Sequence, residues 1–414
     1  MTLRKLWTSW AILTSFFFGM YFFRVAPSAI SEYLMPYFNI SLPEIGFLTS
    51  CFFITYTISQ VPVGYALGRF SVKNLMIGAL FVCSVAIQLF IAAPNFYSAC
   101  LATILYAAFA SFAFVGAISY ASAKFPSHLL PLAVSLTQTA GMLGGFVGKN
   151  VVISLTLNYG WTTALSFVSV VLIFISLMIT FFVPATPVIK SNETLDNKTP
   201  NEANSEEPSL YGQSKTWFTA FYAGLVFLPM YSFAESIGEP MLSTIHSLDL
   251  KNTAFAISMA YVGWIVGGPI AGIASDIYGR IKVMQFSALC GVIFAGLTIT
   301  LPMPYWALCT CLFLYGLTNT GLSACYTVAS EMYSQKQSSL SVAISNMFTN
   351  VFGAILIPIL SSTVDKFFTP VIINGVPKYS PEAYQYVFIV LVIAPLLAYF
   401  CTFMIPETMK KPAS

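Results

Sequence analysis

Long apolar segments follow one another along almost the whole chain, and they constrain its fold more than any other feature. A window of about 19–20 residues, the length of a helix that crosses a bilayer, identifies twelve such segments. Their approximate limits are 7–37, 44–67, 74–93, 96–122, 131–156, 161–183, 216–242, 254–274, 283–301, 304–329, 339–362 and 384–405. The sequence therefore predicts an all-α polytopic membrane protein, and we number these segments spans 1 to 12.

The composition agrees with this fold class. Only 8% of the 414 residues are charged, too few to cover the surface of a water-soluble protein of this length. The formal net charge of +3 is too small to indicate a nucleic-acid partner. None of the eight cysteines forms a C-x-x-C pair and all lie in apolar runs, so we expect neither a disulfide framework nor a metal site.

A polar segment divides the spans into two groups of six. Residues 185–215 are rich in Asn, Glu, Ser, Thr and Pro, a composition that favours a flexible linker. We therefore predict two six-helix bundles, 1–184 and 216–414. If both termini are cytoplasmic, very few of the 18 lysines and arginines fall in outer loops, as the positive-inside rule requires. Those in outer loops are Lys251, Lys366 and Lys378.

The two groups of spans carry an internal repeat. The pattern M-Y-x-F at Met20–Phe23 in span 1 recurs at Met230–Phe233 in span 7, at an offset of 210 residues. The loop Gly64–Lys73 after span 2 is related to the loop Gly272–Lys282 after span 8, at an offset of 208. Such repeats predict a substrate site near the middle of the membrane, between the two halves.

The second of these loops resembles the signature loop of the major facilitator superfamily, G-x-x-x-D-x-x-G-R-x-[RK]. The matching residues are Gly272, Asp276, Gly279 and Arg280. The first-half copy keeps Gly64 and Arg69, but Gly68 stands where the family has aspartate. The resemblance implies a twelve-helix transporter in which both loops brace and gate the cytoplasmic side. Asn158–Trp161 is similar to the N-x-G-W motif that precedes helix 6 in this family.

A short motif in span 1 resembles a narrower group. Phe23–Ser28, with the pattern F-R-V-x-P-S, is similar to the phagosomal transporters of intracellular bacteria, which import amino acids or nucleosides. An arginine at the depth of Arg24 also resembles the organophosphate antiporters. These resemblances imply a multi-pass monomer in the lipid bilayer of the bacterial inner membrane, with both termini cytoplasmic.

Three charged residues lie at similar depth within spans that all run outward. Arg24, Lys149 and Glu235 are 17 to 19 residues beyond the starts of spans 1, 5 and 7, hence within about one helical turn of one another. Charges at such depth are unfavourable and usually functional. We expect Arg24 to anchor a carboxylate or phosphate and Glu235 to couple transport to protons. The structural alternatives are a permanent pair of Arg24 with Glu32 or Glu235, and a Lys149 side chain that extends outward to water.

Other polar side chains share helix faces with these charges, or lie near them. We expect the substrate site to include, besides Arg24, Lys149 and Glu235, the residues Tyr21, Tyr231, Gln138, Asn319, Asn346 and Asn350. The two asparagines of span 11 have an alternative role, joining helices. Glu239 is a second candidate for proton coupling. Glycines at i, i+4 spacing in span 5 are expected to face matching pairs in span 8 and to permit close approach of the two helices, either as a sliding interface or as plain close packing; the pairs are Gly141 and Gly145, Gly144 and Gly148, Gly263 and Gly267, and Gly268 and Gly272.

No enzyme motif is present, and the two histidines, His128 and His246, fall in predicted loops without partners. We therefore expect no catalytic activity and no cofactor. The predicted function is proton-coupled secondary transport of a small carboxylate-bearing metabolite, with an amino acid favoured. The alternatives are a larger organic anion such as a carboxylate siderophore or phosphate ester, a nucleoside, or a transporter-like sensor that binds ligand without flux.

Overall fold

The structure is a computed structural model that describes residues 2–40, 42–184, 209–233, 238–369, 371–373 and 376–409. Almost all of these residues are helical. The α-helices are α1 Leu3–Ala29, α2 Ser31–Phe38, α3 Leu42–Leu67, α4 Val72–Ile91, α5 Phe96–Ala110, α6 Phe112–Lys124, α7 Leu130–Tyr159, α8 Trp161–Phe182, α9 Ser214–Tyr231, α10 Gly238–Ile245, α11 Leu250–Tyr278, α12 Arg280–Thr300, α13 Tyr305–Asn319, α14 Leu322–Glu331, α15 Gln335–Phe367, α16 Pro381–Phe388 and α17 Val390–Cys401. Two short 3-10 helices span Leu210–Gly212 and Thr402–Met404.

One hairpin interrupts this helical pattern. Strands β1 (Val371–Ile373) and β2 (Val376–Lys378) pair antiparallel between α15 and α16. The sequence predicted a loop between spans 11 and 12, and the hairpin occupies that connection. The all-α polytopic fold class is otherwise as predicted.

Eleven helical segments in the described ranges are long and apolar enough to cross a membrane, and they correspond to predicted spans 1 to 6 and 8 to 12. Span 7 is not among these segments because it contains residues 234–237, which lie outside the described ranges. Helix α9 ends at Tyr231, residues 232 and 233 form a π-type turn, and α10 begins at Gly238. Pro229 lies inside the last turns of α9, where its ring removes one backbone donor and weakens the helix.

The internal repeat extends from the sequence to the helix geometry. A tyrosine packs on the phenylalanine of the motif in each half. In the first half, the ring centroid of Tyr106 lies 4.4 Å from that of Phe23, and its hydroxyl donates to the carbonyl of Met20 at 2.9 Å. In the second half, the ring centroid of Tyr315 lies 5.8 Å from that of Phe233. The M-Y-x-F repeat therefore marks equivalent packing positions.

Internal contacts group the chain into two compact units. The first consists of Met1–Phe125, Val147–Trp217 and Ala329–Ile344, and the second of Pro126–Phe146, Phe218–Val328 and Ser345–Ser414. Large aromatic side chains fill both cores. Fully buried examples are Phe16, Phe23, Tyr106 and Phe114 in the first unit and Tyr222, Trp264, Tyr315 and Tyr326 in the second. Helices α7 and α15 each contribute to both units, so packing groups the helices differently from chain order. The predicted bundles 1–184 and 216–414 stay a prediction.

The glycines of α11 pack against two different helices. Gly263 and Gly267 pack against the backbone of α13, and Gly148 packs against α1. Gly268 does face α7, but its neighbour there is the side chain of Thr139. Gly272 also packs on α7, against the backbone of Leu132, so the predicted close approach of the two helices is present at Gly268 and Gly272, whereas Gly263 and Gly267 admit α13 instead.

His246 is buried and has partners for both ring nitrogens, so the prediction of an unpartnered loop histidine is wrong. Its Nδ1 accepts a hydrogen bond from the backbone N–H of Met303 at 3.2 Å, and its Nε2 lies 2.9 Å from the carbonyl oxygen of Thr298. This pair of partners selects the neutral tautomer with its proton on Nε2, which donates to the carbonyl. The partners lie 52 and 57 residues away in the chain, so no local pattern reveals them.

Burial lowers the pKa of His246, and the hydrogen bonds to Thr298 and Met303 oppose this effect only in part. We expect the melting temperature of the purified protein to fall as the pH decreases below about 6.5, the pKa of an unfolded histidine. In that range the unfolded chain binds a proton that the native protein excludes, so stability is lost toward low pH. Thermal unfolding measured from pH 8 to pH 5 tests this. His246→Gln should flatten the profile, whereas His128→Gln, at an exposed histidine, should leave it unchanged.

Candidate functional site

Aromatic rings from two helices surround the guanidinium of Arg24. Its Cζ lies 4.7 Å from the ring centroid of Tyr21, on the same helix α1, and 4.8 Å and 5.8 Å from those of Phe53 and Phe52 on α3. The ring faces stabilise the cation, while its N–H donors point outward in the guanidinium plane. Arg24 is half-buried and Tyr21 is buried. This arrangement covers the faces of the guanidinium and orients it.

The backbone of α7 brings Lys149 to the level of Arg24. A Cβ at Gly148 would lie 2.7 Å from a ring carbon and 3.0 Å from the Cα of Phe22, so α7 and α1 touch at this point. Arg24 follows Phe22 by two residues and Lys149 follows Gly148 by one, so on helices predicted to run in the same direction their depths differ by about 1.5 Å. The Lys149 side chain is exposed, in contrast to that of Arg24. The contact supports similar depths for Arg24 and Lys149, and Glu235, the third residue of the predicted level, lies outside the described residues.

In the second unit, Asn319 connects α13 to α9. Its Nδ2 donates to the carbonyl of Val226 at 3.0 Å and to the hydroxyl of Tyr315 at 3.2 Å. Its Oδ1 is buried without a partner among the described residues. Tyr231 is also buried, with its ring against Gly353 on α15. Asn319 therefore joins α13 to α9 through its donor, while its Oδ1 is an acceptor with no partner in the described part of the chain.

Two further predicted binding residues lie one turn apart on α15. The Tyr326 hydroxyl donates to Oδ1 of Asn346 at 3.1 Å, and Nδ2 of Asn350 donates to the backbone carbonyl of Asn346 at 2.9 Å. Both asparagines are buried, as is Gln138 on α7. The amide of Asn346 thus links α15 to α14, which is the structural alternative for this residue.

The two predicted proton-coupling residues lie outside what the structure describes. Glu235 falls between the described ranges ending at 233 and beginning at 238, and the side chain of Glu239 is likewise not described. Their roles stay predictions from the sequence.

The two gating loops begin with equivalent close contacts. A Cβ at Gly64 on α3 would lie 2.9 Å from the Cα of Leu340 and 2.6 Å from the Cβ of Ala343, both on α15. A Cβ at Gly272 on α11 would lie 2.8 Å from the Cα of Leu132 on α7. Leu132 and Leu340 are 208 positions apart, the same offset that separates the two glycines. Each glycine therefore permits direct backbone packing at its end of the helix, and the repeat reproduces this contact.

A buried ion pair holds the loop of the second half. Nη1 of Arg280 lies 3.0 Å from Oδ1 of Asp276 and also donates to the carbonyl of Ser275 at 2.9 Å. Arg280 is 1% exposed, so its charge is almost fully removed from solvent. Gly279 has a φ of +102°, a backbone region that side chains strongly disfavour. The four motif residues thus form one rigid corner between α11 and α12.

Glu407 completes this corner, and the sequence analysis missed it. Its carboxylate accepts hydrogen bonds from the backbone N–H groups of Arg280 and Ile281 at 3.2 Å and 3.1 Å. These are the first two residues of α12, so the negative charge compensates unpaired donors and the positive end of the helix dipole. Glu407 lies 127 residues from Arg280, and its only sequence signal is an acidic residue just after the last span.

The first-half loop is built differently. Gly68 supplies no carboxylate for Arg69, whose guanidinium stacks over the ring of Tyr65 at 3.9 Å. The contact near Gly64 is instead strengthened by a hydrogen bond between the hydroxyls of Ser119 on α6 and Ser339 on α15, at 2.7 Å. The degraded motif thus retains the helix contact without the ion pair.

Comparisons with known proteins agree with this architecture. The model of the family described as Major Facilitator Superfamily matches residues 11–245 and 218–414. The fold is similar to that of the proton:xylose symporter XylE bound to 6-bromo-6-deoxy-D-glucose, with a TM-score of 0.75, 14% identity and coverage of 99% of this chain and 98% of that chain. It is also similar to that of the transporter FucP in the outward conformation, with a TM-score of 0.63, 14% identity and coverage of 94% and 99%. The comparison with curated proteins gave no match.

Proposed function

This chain belongs to the major facilitator superfamily, and we propose that it is a proton-coupled secondary transporter of a small carboxylate-bearing metabolite. Transport proceeds by alternating access, with a monomer in the bacterial inner membrane and both termini in the cytoplasm. The family assignment makes the protein a transporter and not an enzyme. The substrate, the coupling ion and the location are our proposals.

The observation that carries the substrate proposal is the environment of Arg24. Rings of Tyr21 and Phe53 lie within 5 Å of its Cζ and restrict its orientation. A guanidinium whose faces are covered binds best through its edge, and two parallel N–H groups on that edge match a carboxylate or phosphate. The partly apolar surroundings strengthen such a contact relative to water. An anionic group on the substrate is therefore the partner that this pocket favours.

Two substrate classes follow from the charges near this level. For an amino acid, the class of the phagosomal transporters, the carboxylate binds Arg24 and the ammonium group binds Glu235. The second candidate is a dianion such as a phosphate ester, and the observation that favours it is the contact of Gly148 with Phe22, which supports similar depths for Lys149 and Arg24. The sugar ligand of XylE belongs to a protein that shares 14% identity, so that likeness supports the fold and not the ligand.

Proton coupling is assigned to Glu235, with Glu239 as the alternative. A carboxylate near a cationic pocket is neutralised either by a proton or by a nearby cation, so substrate binding and protonation influence each other. The experiment that tests this is uptake into proteoliposomes with an imposed pH gradient. Wild-type protein should accumulate labelled substrate only when the gradient is present. Glu235→Gln should abolish accumulation but retain exchange of labelled for unlabelled substrate.

The matched control is Glu44→Gln, which removes a carboxylate at the start of α3. It should leave gradient-driven accumulation unchanged. Binding without flux under every condition would support the sensor alternative and contradict the transporter proposal. Accumulation by Glu235→Gln with an unaltered pH profile would transfer the coupling role to Glu239.

A further inference from the structure

Gln60, on α3, is fully buried, and neither its amide nitrogen nor its amide oxygen has a partner among the residues that the structure describes. Thr57, one turn away, is 8% exposed, and its hydroxyl also lacks a partner within the described chain. Buried polar groups in proteins are nearly always paired, and an unpaired amide is unfavourable unless a ligand or water completes it. These two side chains therefore mark a polar site that is distinct from the proposed anion site at Arg24.

The site lies between Arg24 and the close contact at Gly64. Phe53, Thr57, Gln60 and Gly64 follow one another at intervals of four, three and four residues, which is one face of a helix. Phe53 packs on the guanidinium of Arg24, and Gly64 packs on α15. Gln60 is thus about 10 Å along the helix axis from the anion site and about 6 Å from the contact.

Helix α1 packs against α3 and presents a related face. From Arg24 toward its N-terminus this face carries Tyr21, Phe17 and Thr14, again at intervals of three and four. The rings of Phe17 and Tyr21 lie 5.4 Å apart. The Thr14 hydroxyl is buried without a partner in the described residues. The face of α1 from Thr14 to Arg24 and the face of α3 from Phe53 to Gly64 therefore both carry aromatic rings and uncharged hydrogen-bonding side chains.

We propose that Gln60 and Thr57 form a second substrate position, which binds a hydroxyl group of the same molecule whose anionic group Arg24 holds. An amide needs a donor for its oxygen and an acceptor for its nitrogen, and a hydroxyl supplies both. A second carboxylate only accepts, and an alkyl group does neither. The substrate class is then a hydroxylated carboxylate or phosphate. This inference rests on the proposed anion-binding function of Arg24.

The test compares pairs of anions that differ in hydroxyl groups, with binding measured by calorimetry on the purified full chain. The pairs are D-gluconate and hexanoate, glycerol 3-phosphate and propyl phosphate, and L-serine and L-alanine. In at least one pair the hydroxylated member should bind the wild type about tenfold or more tightly, as expected for a buried group built to pair with a hydroxyl. Gln60→Met should reduce this preference below about twofold and leave the other member's affinity unchanged.

A second readout separates recognition from a structural role. Gln60→Met removes an unpaired buried amide at similar volume, so the melting temperature of the ligand-free protein should rise. Gln88→Met, at an exposed glutamine on α4, is the matched control and should change neither the preference nor the melting temperature. A lower melting temperature for Gln60→Met would show that Gln60 is already satisfied, and would overturn the proposal.

The outcomes also separate this inference from the function on which it rests. If one pair binds in an Arg24-dependent manner and both members bind equally, or the preference persists in Gln60→Met, the second position is wrong and the anion site stands. If Arg24→Ala leaves binding of every anion intact, the proposed function fails. If none of the six compounds binds the wild type, both proposals are rejected.

Discussion

Arg24→Ala is expected to lower the affinity for a carboxylate-bearing substrate by about 100-fold or more. A hydrogen bond to a charged group contributes about 1.5–3 kcal/mol, and the guanidinium edge offers two of them to one anion. Removing the arginine also leaves the substrate charge in a pocket lined by Tyr21, Phe52 and Phe53, where nothing replaces its water. Binding of the transported anion by calorimetry, with uptake into proteoliposomes in parallel, measures both effects.

Arg24→Lys should give an intermediate loss of about tenfold, because lysine keeps the charge but not the planar pair of donors. The matched control is Arg4→Gln, which removes a positive charge from an exposed position at the start of the same helix. It should bind and transport normally. Normal transport by both Arg24→Ala and Arg24→Lys would contradict the anion-binding role. It would support the alternative, in which Arg24 pairs permanently with a glutamate and only joins helices.

The sequence predicted those features that depend on local patterns. Apolar length located the spans, and within the described residues eleven of them are continuous helical segments, because a helix that crosses a bilayer must satisfy its own backbone. The M-Y-x-F repeat and the first glycine of each loop also proved to mark equivalent packing positions. Both signals are short, and each half places them at the same point on its helices. Repeats of this kind are visible in a single sequence because the same local geometry requires the same residues twice.

The features that the sequence did not reveal depend on residues distant in the chain. His246 finds both partners on segments that lie more than 50 residues away. Glu407 caps a helix that begins 127 residues before it. Glycines on α11 face two different helices, α13 and α7, and nothing in their spacing says which glycine faces which helix.

Gly64→Leu is expected to shift the protein away from the state in which α3 packs on α15. A Cβ at this position would already lie 2.9 Å from the Cα of Leu340, and a leucine side chain has no alternative direction on that face. Overpacking of this kind costs about 1–3 kcal/mol, which changes the ratio of two conformations by roughly 5- to 150-fold. Uptake should fall by about tenfold or more, since alternating access needs the contact to form and separate in every cycle. Hydrogen–deuterium exchange of residues 335–345 should increase.

The repeat supplies an internal control for this prediction. Gly272→Leu should reduce uptake to a similar extent, but the exchange should increase at residues 131–135 of α7, because that is where Gly272 packs. Gly46→Leu, on the same helix as Gly64 but with nothing within 4 Å of its Cβ position, should leave uptake and exchange unchanged. If Gly64→Leu transports at the wild-type rate with unaltered exchange in α15, the contact is passive packing. If Gly64→Leu and Gly272→Leu instead change hydrogen–deuterium exchange at the same segment, the contacts at Gly64 and Gly272 are not independent of each other. Distinct exchange patterns with a shared loss of uptake would mean that each half contributes its own contact to one transport cycle.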